Sequence, residues 1–326
     1  MSTSFHPGFG LRSSLVQTVL ATKRPSPWLW RRRGLNLAAH SARHVLDCGD
    51  GIRLTGLYAA PPGPSRGLAI LIHGWEGSHD SSYLYSMACA LYQAGYSSFR
   101  LNLRDHAGTY DLNREMFHSA RMDEVLGAIR AVRQLDASEP LFVIGYSLGG
   151  NFALRVGMQG PAVGVEPNLS IGISPAINPR HTLEAIDGGP KLFHGYFLEK
   201  WRLTMDLKSE AWPGVYDFSS HRQLRNFVEL TRKFVEDYTE YDTLDDYFAR
   251  YTLSPEMMMN AASPLAIITA ADDSVCPVAD FQGLRIRGAV QAFDLTERGG
   301  HCGFIENWSL EAWTEQRVLA LLSLHS

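Results

Sequence analysis

Ser147 is a lone hydroxyl in the stretch LFVIGYSLGGNFALRVG (141–157), set between Gly145 and Gly149 where an apolar run gives way to a helix-period segment. A serine hydroxyl attacks a carbonyl usefully only if a base takes its proton and a carboxylate orients that base. Candidates for both follow later in the chain: Asp273, beside Asp272 in PLAIITAADD, and His301 at the end of VQAFDLTERGGH. Each stands after an apolar run that reads as a strand, and in an open parallel sheet functional groups gather at the carboxyl ends of strands. The chain order serine, acid, histidine, with acid and base after consecutive late strands, predicts a triad of Ser147, Asp273 and His301. Gly299 and Gly300 leave the backbone before His301 free to deliver an imidazole.

Gly-x-Ser-x-Gly alone is a weak signal, but a strand-to-helix junction is where it has a mechanical purpose. A sharp turn there strains the serine and presses the residues two before and two after it against their neighbours, which accounts for Gly145 and Gly149. The following helix aims its free N–H groups at the reacting centre. Acyl chemistry needs two such donors, and the expected pair is the backbone N–H of Leu148 and that of Trp75, in the turn HGWEG after the run GLAILIHG (67–74). Gly74 keeps that turn open. For His73 the adopted reading is structural, a ring hydrogen-bonded to fix the turn, with service as a second base as the alternative. No HxH or HExxH spacing occurs among the histidines, so neither a metal nor another cofactor is expected. Of the adjacent carboxylates, aligning AADDSVCP with a Gly-x-x-Asp-Pro-x-x-Pro turn through Ala270 and Pro277 selects Asp273, leaving Asp272 to serve the turn through backbone N–H groups.

Such a constellation requires a mostly parallel sheet, and from residue 67 onward short apolar runs alternate with helix-period segments. Strands are expected in 67–74, 97–104, 140–147, 169–175, 264–273 and from 290. A helix with Leu84, Met87, Ala88 and Leu91 on one face should close at Gly95, and a second should bury Met122, Val125, Leu126, Ile129 and Val132. Residues 178–262 interrupt the alternation with an aromatic, helix-leaning segment. The expected organisation is therefore an α/β core over 46–177 and 263–326, a helical cap over 178–262, and an N-terminal arm over 1–45 packing on the core. The six carboxylates Glu236, Asp237, Glu240, Asp242, Asp245 and Asp246 read as a solvated face, which would disfavour anionic substrates if it bordered the entrance.

A chain of 326 residues with 45% hydrophobic content can bury roughly three quarters of its unfolded surface. A net charge of −4 argues against nucleic acid as a partner. The four cysteines, Cys48, Cys89, Cys276 and Cys302, lack CxxC spacing and read as reduced, buried thiols. With no signal peptide and no run of about 18 apolar residues, the expected location is cytoplasmic. KRPSPWLWRRR (23–33) has the composition of a peripheral membrane contact, but the adopted reading packs its tryptophans on the body and leaves its arginines in water.

HGWEGSHDSSYLYSMACALYQAGY, GYSLGGNFAL, ITAADDSVCP and GGHCGF together resemble the α/β-hydrolase superfamily, and SLVQTVLA (14–21) is similar to a stretch particular to its YheT-type branch. The resemblance spans most of residues 5–320. It implies an α/β-hydrolase fold with a helical cap, with Ser147 as nucleophile, Asp273 as acid and His301 as base. The activity implied is that of a serine carboxylesterase or lipase-like enzyme, cleaving short- to medium-chain or lipid-like esters through an acyl-enzyme. A thioesterase or acyltransferase on the same triad is the alternative, and a non-catalytic binding module is a third reading. The chain departs from the branch in NLRDHAGT, where Asp105 replaces a glycine and His106 is added, and in lacking the histidine expected before Leu-Gln.

Overall fold

The computed structural model describes residues 4–326. Eight strands form one sheet: β1 (Ser41–Asp47), β2 (Arg53–Ala59), β3 (Leu68–Ile72), β4 (Ser97–Asn102), β5 (Leu141–Tyr146), β6 (Leu169–Ile173), β7 (Leu265–Ala270) and β8 (Val290–Thr296). Their order is β1-β2-β4-β3-β5-β6-β7-β8. Strand β2 runs antiparallel to both its neighbours, and from β4 to β8 every pairing is parallel. This is an α/β-hydrolase fold.

The parallel strands are apolar throughout because both sheet faces are covered. Along β3, Leu68, Ile70 and Ile72 point into one core layer with Val143 and the helix Met122–Leu135. Ala69 and Leu71 point into the other, with Ile144, Ile171 and the helices Ser82–Gln93 and Trp313–Ser323. Met122, Val125, Leu126, Ile129 and Val132 are all buried, as their spacing requires. The helix Ser82–Gln93 ends where Gly95 takes φ +87°, a left-handed C-terminal cap.

The first two strands were not legible as strands. β1 is a sheet edge with only Leu46 buried, so it carries no apolar run. It begins at Ser41, inside the segment 1–45 read as an arm, so the chain enters the sheet earlier than expected. Segment 178–262 contains five α-helices, the longest Lys191–Ala211, one short 3-10 helix and no strand. The six carboxylates between residues 236 and 246 are all exposed. In the N-terminal segment, Trp30 is buried and donates to Ser86 Oγ at 2.7 Å, whereas Trp28 stays 52% exposed beneath Arg32. Arg24 does not face water but lies buried against Glu315 at 2.8 Å, a correction that only the packed chain explains, since Glu315 lies far away in sequence. The four cysteines are free and buried, and no helix among the described residues is long and apolar enough to cross a membrane.

Candidate active site

β5 ends in a turn whose geometry follows from its glycines. Ser147 sits at φ +54°, ψ −120°, a conformation that costs an L-residue about 1–3 kcal/mol and persists only where its surroundings impose it. They do so through close packing. A Cβ at Gly145 would lie 1.9 Å from the carbonyl oxygen of Gly149, and one at Gly149 would lie 2.3 Å from that of Ile72. The strain turns the Ser147 side chain out of the strand direction while its own N–H is held by Ile173 O at 2.9 Å.

The loop after β8 brings His301 to this serine, with Nε2 2.9 Å from Ser147 Oγ. Its Nδ1 lies 2.9 and 3.1 Å from the two oxygens of Asp273, in the turn after β7. Asp273 is oriented in turn by the N–H groups of Val275 and Cys276, which donate to its Oδ1 at 2.8 and 2.9 Å. Burial opposes a charge on the His301 ring, but Asp273 beside it outweighs that and holds the pKa well above 6.5. Asp272 faces the other way and accepts Gly300 N–H at 2.8 Å, holding the same loop from outside.

Gly74, Trp75 and Glu76 form the opposite wall. The Leu148 N–H opens the helix Leu148–Gln159, where no intrahelical acceptor exists. Gly74 donates to the Tyr83 hydroxyl and Glu76 N–H to His106 Nε2, so among the described residues Trp75 N–H is left free in that turn. A Cβ on Gly74 would stand 3.2 Å from that of Ser147, so the glycine lets the turn approach the serine. His73 is spent within the turn. Its Nδ1 bonds Gly74 O at 2.7 Å and its Nε2 accepts Leu103 N–H at 3.1 Å, while burial holds its pKa well below 6.5. His106, the added residue of NLRDHAGT, does similar work: Nδ1 bonds Arg104 O, and burial pushes its pKa down to about 4.

Three groups of residues escaped the sequence reading. The first is the helix Ser14–Lys23, which clasps the His301 loop. Thr18 Oγ1 accepts His301 N–H at 2.9 Å, and Gln17 makes three buried hydrogen bonds, to Leu11 O, Ile305 O and Ile305 N–H. Ser14 Oγ donates to Asp272 O at 2.6 Å. The stretch SLVQTVLA was the available signal, though nothing local ties it to a histidine 283 residues away. The second is Lys208, fully buried on the helix Lys191–Ala211, which donates to Asp105 Oδ1 at 2.8 Å and to Asn113 O at 2.6 Å. Asp105 takes φ +59°, the left-handed region in which glycine is unstrained, so the chain accepts strain there to place a partner for Lys208. The third is Lys23, which lines the site cavity.

A cavity of about 680 Å³ opens over Ser147 and His301. Trp75 stacks on Phe197 at 5.6 Å and meets the buried Trp201 edge-on at 5.2 Å, so these two aromatics of the helix Lys191–Ala211 both pack against the turn and face the cavity. Asp273, Cys276 and His301 carry possible ligand atoms within 4.8 Å of one another. The set does not suit a metal, because both imidazole nitrogens are engaged by Asp273 and Ser147 and burial pushes the Cys276 thiol up to about 12.

Residues 69–311 match the model of the alpha/beta hydrolase family. The chain belongs to that family. Within it this hydrolase is of the YheT type. It is 25% identical over 328 aligned positions to the Escherichia coli (strain K12) protein named "Putative esterase YheT", covering 97% of this chain and 92% of that one. It is 23% identical to human phospholipase ABHD3, covering 92% and 78%. The fold matches the Pyrococcus furiosus esterase Pf2001 with a TM-score of 0.55 at 16% identity, over 87% of this chain and 92% of that one. It matches Est1E of Butyrivibrio proteoclasticus at 0.54 and 18%, over 87% and 99%.

Proposed function

We propose that this hydrolase is a serine carboxylesterase acting on medium-chain or lipid-like esters. The observation that carries the reading is the unbroken hydrogen-bond chain from Ser147 through His301 to Asp273, starting at a strained serine under an apolar cavity. Ser147 Oγ attacks the ester carbonyl carbon as its proton passes to His301 Nε2. The Nδ1 proton stays directed at Asp273, which stabilises the imidazolium. The carbonyl oxygen, now an oxyanion, lies between the N–H groups of Trp75 and Leu148. His301 then gives its proton to the departing alkoxide, leaving an acyl-serine. A water activated by the same nitrogen releases the acid and restores Ser147.

The cavity volume and aromatic walls favour an acyl chain or alcohol of lipid-like size, in keeping with the phospholipase name of one relative. The test is hydrolysis of p-nitrophenyl esters of graded chain length together with fluorophosphonate labelling. Stoichiometric labelling that is lost in Ser147→Ala supports the reading, and labelling that survives in Ser147→Ala overturns it.

A further inference from the structure

The cavity over Ser147 carries two ammonium groups from different parts of the chain. Lys23, in the last turn of the helix Ser14–Lys23, lies with Nζ 5.4 Å from the centre of the Tyr196 ring, and Lys200 of the cap helix lies 5.9 Å from the same ring. Both lysines and Tyr196 line the cavity. Neither ammonium has a carboxylate partner among the described residues, unlike Lys208 and Lys233, which are paired with Asp105 and Asp237. An aromatic face holds such cations in place without neutralising them.

The carboxylates nearby do not cancel this charge. Asp80 is engaged by His79 and Arg100. Glu76 is pushed up to about 7 by burial, against the pull of the Thr204 hydroxyl and of Lys200, so it carries only part of a charge near neutrality. The acidic residues between 236 and 246 form none of the cavity wall; their region contributes Phe234 and Tyr247 instead. An apolar cavity with two unneutralised cations on its wall complements an amphiphile that has one anionic group.

We infer that Lys23 and Lys200 form an anion subsite of the ester-binding cavity, and that the preferred substrates are esters bearing a carboxylate or phosphate away from the scissile bond. The inference rests on the esterase reading. Lys23 also makes the N-terminal helix part of the substrate site, so the subsite assembles only when that helix and the cap are both docked.

The anion could belong to the acyl chain or to the alcohol, and two substrate pairs distinguish these. One compares the p-nitrophenyl monoester of a dicarboxylic acid with the ester of the equally long monoacid. The other compares an acyl ester of a phosphate-bearing alcohol with that of the unphosphorylated alcohol. In at least one pair the ratio of kcat/KM for the anionic over the neutral ester should exceed one and fall with added salt. That ratio should drop roughly threefold in Lys23→Met or Lys200→Met and about tenfold in the double variant, methionine preserving the apolar stem contacts. Which pair responds identifies the side that carries the anion. Ratios at or below one in both pairs, or a ratio unmoved in the double variant, overturn the subsite while neutral-ester turnover upholds the esterase. Failure of the wild type on every ester would instead overturn the esterase reading.

Discussion

Thr18 Oγ1 accepts the backbone N–H of His301 at 2.9 Å and donates its own proton to Ser14 O at 2.8 Å. A hydroxyl near the amino terminus thus sets the height of the imidazole above Ser147. Thr18→Val keeps the shape, removes the acceptor and leaves a buried N–H unpaired, a loss of about 1–3 kcal/mol that bears on the loop. The expected outcome is a kcat reduced roughly tenfold with KM little changed, recovered in Thr18→Ser. A change confined to KM, or no recovery with serine, would count against a positioning role.

Gln17 fastens the same helix to the residues after His301 through three buried hydrogen bonds. Gln17→Leu should lower the unfolding free energy by roughly 2–4 kcal/mol, measured by urea denaturation, because two carbonyls and one N–H lose their partners together.

Asp273 and Asp272 are adjacent, yet only Asp273 touches the imidazole. Asp273→Asn should reduce kcat by roughly 10⁴ by mis-setting the tautomer of His301. Asp272→Asn should cost less than tenfold, since an amide oxygen still accepts Gly300 N–H. Kinetics of both variants on one activated ester, with circular dichroism confirming the fold, test the assignment, and a larger loss at Asp272 would reverse it.

Burial disfavours a charged His301, but Asp273 more than compensates and keeps its pKa well above 6.5. The base must be neutral at Nε2, so kcat/KM should fall on acidification through that raised pKa, with its acid limb above 6.5. In Asp273→Asn the burial remains and the anion is gone, so the limb should move to lower pH. The stability linkage has the opposite sense: the raised pKa favours the folded state below the unfolded value of His301, and this increment is lost as pH rises through the folded value. A pH–rate profile of the wild type with its limb below 6.5 would contradict the coupling to Asp273.

Lys208 and Asp105 are a fully buried pair joining the helix Lys191–Ala211 to the loop after β4. Lys208→Met leaves Asp105 uncompensated and should destabilise the protein by about 3–5 kcal/mol. Adding Asp105→Gly, which also relieves the positive φ, should restore part of that loss. Chemical denaturation of the single and double variants measures the difference, and a double variant less stable than the single would contradict the argument.

The sequence alone determined the parallel strands and the placing of Ser147, Asp273 and His301 after them. Leu68–Ile72, Leu141–Tyr146 and Leu265–Ala270 are apolar runs that only a sheet covered on both faces accommodates, so their identity is local information. Gly145 and Gly149 were likewise legible, because the nearest atoms they must clear lie within the same turn or at the end of β3. The edge strand β1 was not, since an exposed strand needs no apolar pattern. Only the tertiary structure decided that Arg24 pairs with Glu315, that Thr18 holds His301, that Lys208 meets Asp105, and that Lys23 and Lys200 share one aromatic ring. The first three are polar contacts between residues far apart in the chain, and the last brings Lys23 from the N-terminal helix to a ring on the helix Lys191–Ala211. Periodicity and spacing record which face of an element is buried, whereas the partner of a buried charge or a capped N–H depends on where a distant segment docks.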